Sequence, residues 1–189
     1  MTRRGILFFC FFLLLSLLSA PAQSADIQFQ MAFSPRGKTL QLMLNTVKDA
    51  QESVYVAAFS FTNKAIAEAL LEAHKRGVKI RVVADKKANG SQYTAAAFLA
   101  THGVPVRLNG KYAVMHNTFM VVDGKHVQTG SFNYNAAAVN KNAENILVVR
   151  NMPALAVPYA AEWQRLWNEG EEAKPNERKD RPNRRQTEV

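Results

Sequence analysis

The chain has 189 residues, of which 48% are hydrophobic and 21% charged, so it is long and apolar enough for one domain with a buried core. Its formal net charge of +9 favours polyanionic partners such as nucleic acid or anionic lipid, as a bias and not an assignment. The single cysteine, Cys10, lies in an N-terminal apolar run. The rest of the chain can therefore form no disulfide, cysteine nucleophile or thiolate metal site.

Residues 1–25 have the pattern of a secretory signal peptide. Arg3 and Arg4 precede an apolar run over residues 6–18, and small residues follow at 19–25. The run is short for a membrane-spanning helix, so cleavage near residue 25 is expected, with an uncleaved membrane anchor as the alternative. Cleavage would leave a net charge of +7, since two arginines are removed from +9. The predicted location is the periplasm or the medium.

Strands and helices alternate in the first part of the remaining chain. Apolar residues at helical spacing between residues 37 and 51 indicate an amphipathic helix, and the nearly continuous apolar run at 54–61 indicates a buried central strand. Thr62 or Asn63 is the predicted N-cap of the next helix, which ends at Gly77. In chain order the predicted elements are a strand at 27–33, helix 37–51, strand 54–61, the capped helix, strand 78–84, helix 92–100 and strand 104–108.

Two apolar runs that flank Asp123 and Gly124 predict a β-hairpin. If Gly124 and Lys125 form a two-residue turn, Asp123 lies opposite His126. The same register pairs His116 with the residue at 133 and Thr118 with the residue at 131.

The predicted hairpin brings four polar side chains to one face, because side chains alternate along a strand. These are His116, Thr118, Ser131 and Asn133. The apolar and small residues expected behind them are Met120, Val122, Val127 and Thr129. An imidazole, two hydroxyls and an amide at one strand end can bind the oxygens of a phosphate. A polar strand end that faces water is the alternative.

The C-terminal part contains a predicted strand at 145–149 and a helix with the apolar stripe Leu155, Tyr159, Trp163 and Leu166. Pro158 requires either a kink in this helix or a start after Ala156. Residues 171–189 are basic and proline-rich and are expected to be a disordered tail or a nucleic-acid contact. The alternation of strands with helices predicts an α/β fold, with a mixed β-sheet flanked by helices on both faces, in one domain over residues 26–170.

The segment at 115–135, MHNTFMVVDGKHVQTGSFNYN, resembles the signature of the phospholipase D superfamily. That signature is His-x-Lys, four residues, Asp, six residues, Gly-Ser and a nearby Asn. The matching residues here are His116, Asp123, Gly130, Ser131 and Asn133. The likeness extends to SVYVAAFSFT, GVKIRVVADK and KNAENILVVRNMP, which are similar to the family's bacterial EDTA-resistant endonucleases.

The resemblance implies a metal-independent phosphodiesterase that needs no cofactor. In the family two motif histidines meet across a two-fold axis, and this chain has one motif and no internal repeat. A homodimer with the active site at its interface is therefore expected, each subunit contributing one His116. One histidine would attack phosphorus to give a phosphohistidine, while the other protonates the leaving oxygen. Nucleic acid is the expected substrate.

The resemblance also assigns roles to the other site residues. Ser131 and Asn133 would bind the phosphate, and Glu144 would orient a histidine ring, with a surface pair to Lys141 as the alternative. Asp123 belongs to the catalytic motif, but a structural role in the turn and an ion pair is favoured over direct catalysis. No histidine has the spacing of a metal ligand to another.

Thr118 stands where the family has its lysine. Threonine can donate one hydrogen bond to a phosphate but brings no charge, so turnover is expected to be reduced. Lys111 or Lys141 could supply the charge from loops. Three functions follow: an endonuclease, a phospholipase D that acts on phospholipid head groups, and a catalytically impaired nucleic-acid-binding module.

Overall fold

The computed structural model describes residues 26–175. The predicted signal peptide and residues 176–189 of the predicted tail lie outside this range. None of the helices in this part of the chain combines the length and apolar character that crossing a membrane requires.

Eight strands form one mixed sheet, in the order β1-β7-β6-β5-β2-β3-β4-β8. Strands β2, β3 and β4 are parallel, and every other neighbouring pair is antiparallel. The strands are β1 (Gln28–Ser34), β2 (Ser53–Ala58), β3 (Lys79–Asp85), β4 (Val106–Asn109), β5 (Phe119–Val122), β6 (His126–Thr129), β7 (Glu144–Arg150) and β8 (Glu171–Glu172).

Helices cover both faces of the sheet, which confirms the predicted α/β fold. The helices are α1 (Thr39–Lys48), α2 (Lys64–Lys75), α3 (Lys86–Asn89), α4 (Ala95–Thr101), α5 (Ala136–Asn140) and α6 (Pro153–Glu169). Asn63 is the N-cap of α2, since its side chain accepts a hydrogen bond from the Ile66 amide at 3.2 Å. Helices α3 and α5 were not predicted from the sequence.

Two apolar cores lie on opposite faces of the sheet. Met120 and Val122 of β5 point into the larger core beneath α1, α2 and α4. The other core lies beneath α6 and includes Trp163, whose Nε1 donates a 2.9 Å hydrogen bond to the Val56 carbonyl. Trp163 also stacks on Tyr55, with ring centroids 4.6 Å apart. The tryptophan thus fixes α6 over the centre of the sheet.

The hairpin between β5 and β6 forms, but the predicted register was wrong by one residue. Val122 pairs with His126, so Asp123, Gly124 and Lys125 all lie in the loop. Asp123 and Gly124 have φ values of 52° and 63°, in the left-handed region. The register change places Val127 and Thr129 on the α6 side of the sheet, away from Met120 and Val122.

The structure also corrects two predictions near the C-terminus. Helix α6 begins at Pro153, so Pro158 lies inside it and the proposed start after Ala156 is wrong. Residues 171–172 were predicted as part of a disordered tail, but they form β8. Strand β8 pairs with β4 in an antiparallel manner, with Glu171 opposite Leu108 and Glu172 opposite Arg107.

Candidate active site

The predicted site residues other than Asp123 lie at one edge of the sheet. Strand directions bring the carboxyl ends of β1, β2, β3, β4 and β6 to the same edge as the starts of β5 and β7. His116 and Thr118 directly precede β5, Ser131 and Asn133 directly follow β6, and Glu144 begins β7. The fold therefore supports the grouping expected from the motif, although not through the predicted pairing of His116 with Asn133.

His116 is exposed at this edge. Its ring meets the edge of the Phe59 ring, with centroids 4.7 Å apart and planes at 73°. Among residues 26–175 the imidazole has no hydrogen-bond partner, so both ring nitrogens are open to a substrate or to a second subunit. Such an exposed imidazole can act as a nucleophile or as a proton carrier near neutral pH.

Ser131 is hydrogen-bonded to Glu144. Its Oγ donates a 2.6 Å hydrogen bond to Glu144 Oε2 and accepts hydrogen bonds from the backbone N and Nδ2 of Asn145, at 3.1 and 3.3 Å. Glu144 Oε1 accepts a 2.9 Å hydrogen bond from Asn142 Nδ2. Within the described range Glu144 forms no hydrogen bond or ion pair with His116 or Lys141, so neither of its two predicted interactions is present there.

Gly130 allows this arrangement because β6 passes very close to β7 at that point. A Cβ atom at Gly130 would lie 2.4 Å from the Asn145 carbonyl oxygen, and the φ of Gly130 is +143°. Any side chain would push the β6 end away from β7. Ser131 would then lose its contacts with Glu144 and Asn145.

Thr118 and Asn133 keep unused hydrogen-bonding groups at the site. Both are half-buried, and neither side chain has a hydrogen-bond partner among residues 26–175. Asn133 Oδ1 is a buried oxygen that no donor in this range satisfies. This oxygen is covered, and it cannot bond to a phosphate oxygen because both are acceptors. The Nδ2 donor is the part of the Asn133 amide that is suited to a phosphate.

Asp123 lies at the far end of the hairpin from His116. Its carboxylate accepts hydrogen bonds of 2.8–3.2 Å from the backbone amides of Gln51, Glu52 and Ser53, just before and at the start of β2. Partial burial raises the pKa of this carboxyl, but these three amides outweigh burial and hold the pKa below its ordinary value. The position of Asp123 favours the structural role in the turn over direct catalysis. The predicted ion pair does not form among residues 26–175, since the partners of the carboxylate are backbone amides.

We expect Asp123→Asn to lower the free energy of unfolding by about 1–2 kcal/mol at pH 7, the low end for a charge-assisted group because the side chain is partly exposed. Asparagine tolerates the positive φ, so the change removes the carboxylate alone. Since the folded pKa is depressed, this stabilisation is complete above the unfolded pKa of about 3.8 and disappears as pH falls through the folded pKa. Urea unfolding at pH 7 and pH 3 measures both effects.

Asp49→Asn is the matched control for this change. Asp49 is exposed and pairs with the partly buried Arg150 at 3.0 Å, and ion pairs at the surface contribute about 0–1 kcal/mol. Equal urea midpoints for Asp123→Asn and the unmodified protein at pH 7 would contradict the structural role of Asp123.

Three residues next to the site were not predicted from the sequence: Phe59, Asp85 and Asn89. Phe59 follows β2, Asp85 ends β3 and Asn89 ends α3. Asp85 and Asn89 are each 2% exposed. The sequence did contain a signal for Asp85, which is a polar residue at the carboxyl end of a buried parallel strand. Ligands of open α/β sheets bind at that edge, so such a residue is a candidate site residue.

Positive charge is concentrated around this edge. Arg36 and Lys38 follow β1, Lys87 follows β3 and Lys141 lies just before β7, and all four are exposed. In the described part of the chain none of them forms an ion pair, whereas Lys111 is bonded to Glu169 Oε1 at 2.8 Å. This hydrogen bond raises the pKa of Lys111. In residues 26–175 no group of three acidic, histidine or cysteine side chains could hold a metal ion.

Comparison with known proteins identifies the family. Residues 43–167 match the family described as "Cardiolipin synthase, PLD-like domain", where PLD denotes phospholipase D. The chain belongs to the phospholipase D superfamily. A phospholipase D of Rickettsia conorii is 31% identical over 131 residues, which cover 69% of this chain and 65% of the relative. The mitochondrial cardiolipin hydrolase of Xenopus laevis is 36% identical over 127 residues, 67% of this chain and 60% of the relative. The chain thus spans less than two thirds of these two superfamily relatives.

Solved structures of this superfamily show the same fold over nearly their whole length. Nuc from Salmonella typhimurium, a phospholipase D family member, is 36% identical with a TM-score of 0.77, covering 79% of this chain and 99% of Nuc. NucT from Helicobacter pylori is 22% identical with a TM-score of 0.70, covering 78% of this chain and all of NucT, and this likeness concerns the fold alone. The match to Nuc confirms the resemblance on which the site assignments depend.

Proposed function

We propose that this protein is an exported, metal-independent phosphodiesterase that cuts DNA or RNA as a non-specific endonuclease. The observation that carries the proposal is an exposed His116 on the same sheet edge as the Ser131–Glu144 pair, where four exposed cations form no ion pair within residues 26–175. A histidine nucleophile requires no metal, and a row of cations suits the repeating phosphates of a nucleic acid.

The mechanism uses two His116 side chains. A ring nitrogen of one attacks phosphorus and forms an N–P bond as the bond to the leaving oxygen breaks; the other, protonated, gives its proton to that oxygen. The second histidine then takes a proton from water, which attacks phosphorus and breaks the N–P bond. Asn133 donates to a phosphate oxygen through its Nδ2. Ser131 does so once its hydroxyl proton, which Glu144 accepts in the free protein, turns from Glu144 to the phosphate.

A homodimer would supply the second histidine, and the surface of β1 supports this assembly. Three apolar side chains of β1 are 61–62% exposed: Phe29, Met31 and Phe33. They lie on the α6 side of the sheet. Phe29 pairs with Val149, which in turn pairs with Val127 of the core beneath α6. Apolar groups in such a row mark an interaction surface. The row ends beside the site, since Ser34 pairs with Glu144.

We expect Met31→Glu to convert the dimer into a monomer and to abolish cleavage, because it places a charge in the middle of the apolar row. Light scattering coupled to size exclusion should give twice the monomer mass for the unmodified protein without residues 1–25, and the monomer mass for the variant. Gln30→Glu is the matched control: it adds the same charge to the same strand on the other face, where Gln30 already bonds to Arg150. A monomeric unmodified protein that cleaves DNA would contradict the dimer.

The test of the proposed function is cleavage of supercoiled plasmid DNA by the protein in excess EDTA. Nicked and linear products that accumulate at the same rate with and without EDTA support a metal-independent endonuclease. No products from DNA or RNA, at any EDTA concentration, would overturn the endonuclease proposal.

A phospholipase is the second candidate function. Two observations favour it: the exposed apolar row that ends at Phe33 beside the site, and the likeness to proteins named phospholipase D and cardiolipin hydrolase. Release of phosphatidic acid from vesicles that contain cardiolipin or phosphatidylcholine, with no cleavage of plasmid DNA, would select this function over the endonuclease.

A further inference from the structure

The segment that carries His116 crosses the edge of the sheet. Strands β4 and β5 are separated by β3 and β2, so residues 110–118 must pass over the carboxyl ends of both. This segment contains no helix or strand. Hydrogen bonds of the sheet therefore do not fix the position of His116, and contacts with the strand ends beneath must do so.

Asp85 holds this segment at the end of β3. Its Oδ2 accepts a 2.8 Å hydrogen bond from the backbone amide of Met115, the residue directly before His116. Its Oδ1 accepts a 2.7 Å hydrogen bond from the Ala88 amide at the start of α3. A carboxylate that is 2% exposed is costly unless its oxygens are satisfied, and here each oxygen binds a backbone N–H.

Asn89 holds the residues that follow β2. Its Oδ1 accepts a 3.1 Å hydrogen bond from the Phe61 amide, and its Nδ2 donates to the carbonyl oxygens of Phe59 and Asp85. Asn89 is 2% exposed, so these bonds are shielded from water. They fix the backbone of Phe59, whose ring meets the His116 ring edge-on.

A third contact joins α3 to the crossing segment. Lys87 Nζ donates a 3.2 Å hydrogen bond to the carbonyl oxygen of Ala113. We propose that residues 85–89 form a positioning element for His116: Asp85 and Lys87 hold the backbone that leads to it, and Asn89 holds the ring against which it packs. These residues act through His116, so they are positioning residues and not catalytic ones.

The experiment compares Asp85→Asn with the unmodified full chain by NMR of the imidazole Cε1–H groups. The chain has four histidines, and His116→Ala assigns the His116 signal. Asp85→Asn keeps the side-chain shape but replaces one of the two acceptor oxygens by a donor. We expect the His116 signal to shift and broaden while the signals of His74 and His126 stay in place.

Kinetics provide a second readout, which rests on the proposed function. A displacement of about 1 Å can cost about a hundredfold in rate, so we expect kcat to fall about tenfold to a hundredfold. KM should stay within about twofold, because the cationic groups that bind the substrate are unchanged. If the unmodified protein has no turnover, the proposed function fails and the NMR comparison still decides on the positioning element.

Thr46→Val is the matched control for loss of a buried polar contact. Thr46 is 1% exposed on α1 and donates to the Leu42 carbonyl, so its loss should lower the melting temperature without moving the His116 signal. Lys87→Met is a second variant, which removes the bond to the Ala113 carbonyl and leaves Asp85 and the Phe59 ring in place, and it decides the matter if Asp85→Asn does not fold. A His116 signal that neither Asp85→Asn nor Lys87→Met moves would overturn the proposal.

Discussion

Replacing His116 by alanine is expected to reduce phosphodiester cleavage by about 10⁴-fold or to background. The proposed dimer loses both the nucleophile and the proton donor at once, since each subunit contributes the same residue. His116 is exposed and has no hydrogen-bond partner within residues 26–175, so the substitution should leave the melting temperature unchanged. Plasmid cleavage in EDTA and thermal unfolding measured on the same sample separate loss of chemistry from loss of fold.

His102→Ala is the matched control for this prediction. His102 is also exposed, and it caps the far end of α4, where its ring packs on Phe98 with centroids 4.3 Å apart. The His102→Ala variant should cleave plasmid DNA at the same rate as the unmodified protein. Cleavage that survives His116→Ala would show that the reaction does not take place at this motif.

The larger elements of the fold were predictable because their apolar patterns are long and strict. Helix α2 combines an N-cap at Asn63 with buried residues at helical spacing, and β2 and β3 are short runs buried on both faces. The hairpin register was not predictable from the apolar pattern, which is equally compatible with two or three loop residues. The amides of residues 51–53, far away in the sequence, bind Asp123 and hold it in the loop.

The site was predictable as a set of residue types and not as a set of contacts. The spacing of the motif predicted His116 and Ser131 as site residues. It did not predict the hydrogen bond between Ser131 and Glu144, because that bond depends on the close approach of β6 and β7 at Gly130. Asp85 does not belong to any local sequence motif. Its contact with Met115 exists only because the chain crosses the end of β3, which is a property of the strand order.

Thr118→Lys is expected to raise the rate of cleavage by about a hundredfold to a thousandfold, since one well-placed group that stabilises developing charge contributes roughly 3–4 kcal/mol. In a dimer each site would gain two such charges. Thr118 precedes β5 and has no side-chain partner among residues 26–175, so the fold should accept lysine. The measurement is the initial rate of plasmid cleavage in EDTA, compared with Thr118→Met, which adds length without charge.

The outcome of this comparison separates an enzyme from a binding protein. If only Thr118→Lys cleaves DNA while the unmodified protein binds it in a salt-dependent manner, the natural chain is a binding module that retains the phosphate pocket. If the unmodified protein already cleaves as fast as Thr118→Lys, another cation neutralises the phosphate. Lys111 already forms an ion pair with Glu169, whereas Lys141 is exposed and free of carboxylates within the described residues. Equal rates for Thr118→Lys and Thr118→Met would show that charge at position 118 does not limit the reaction.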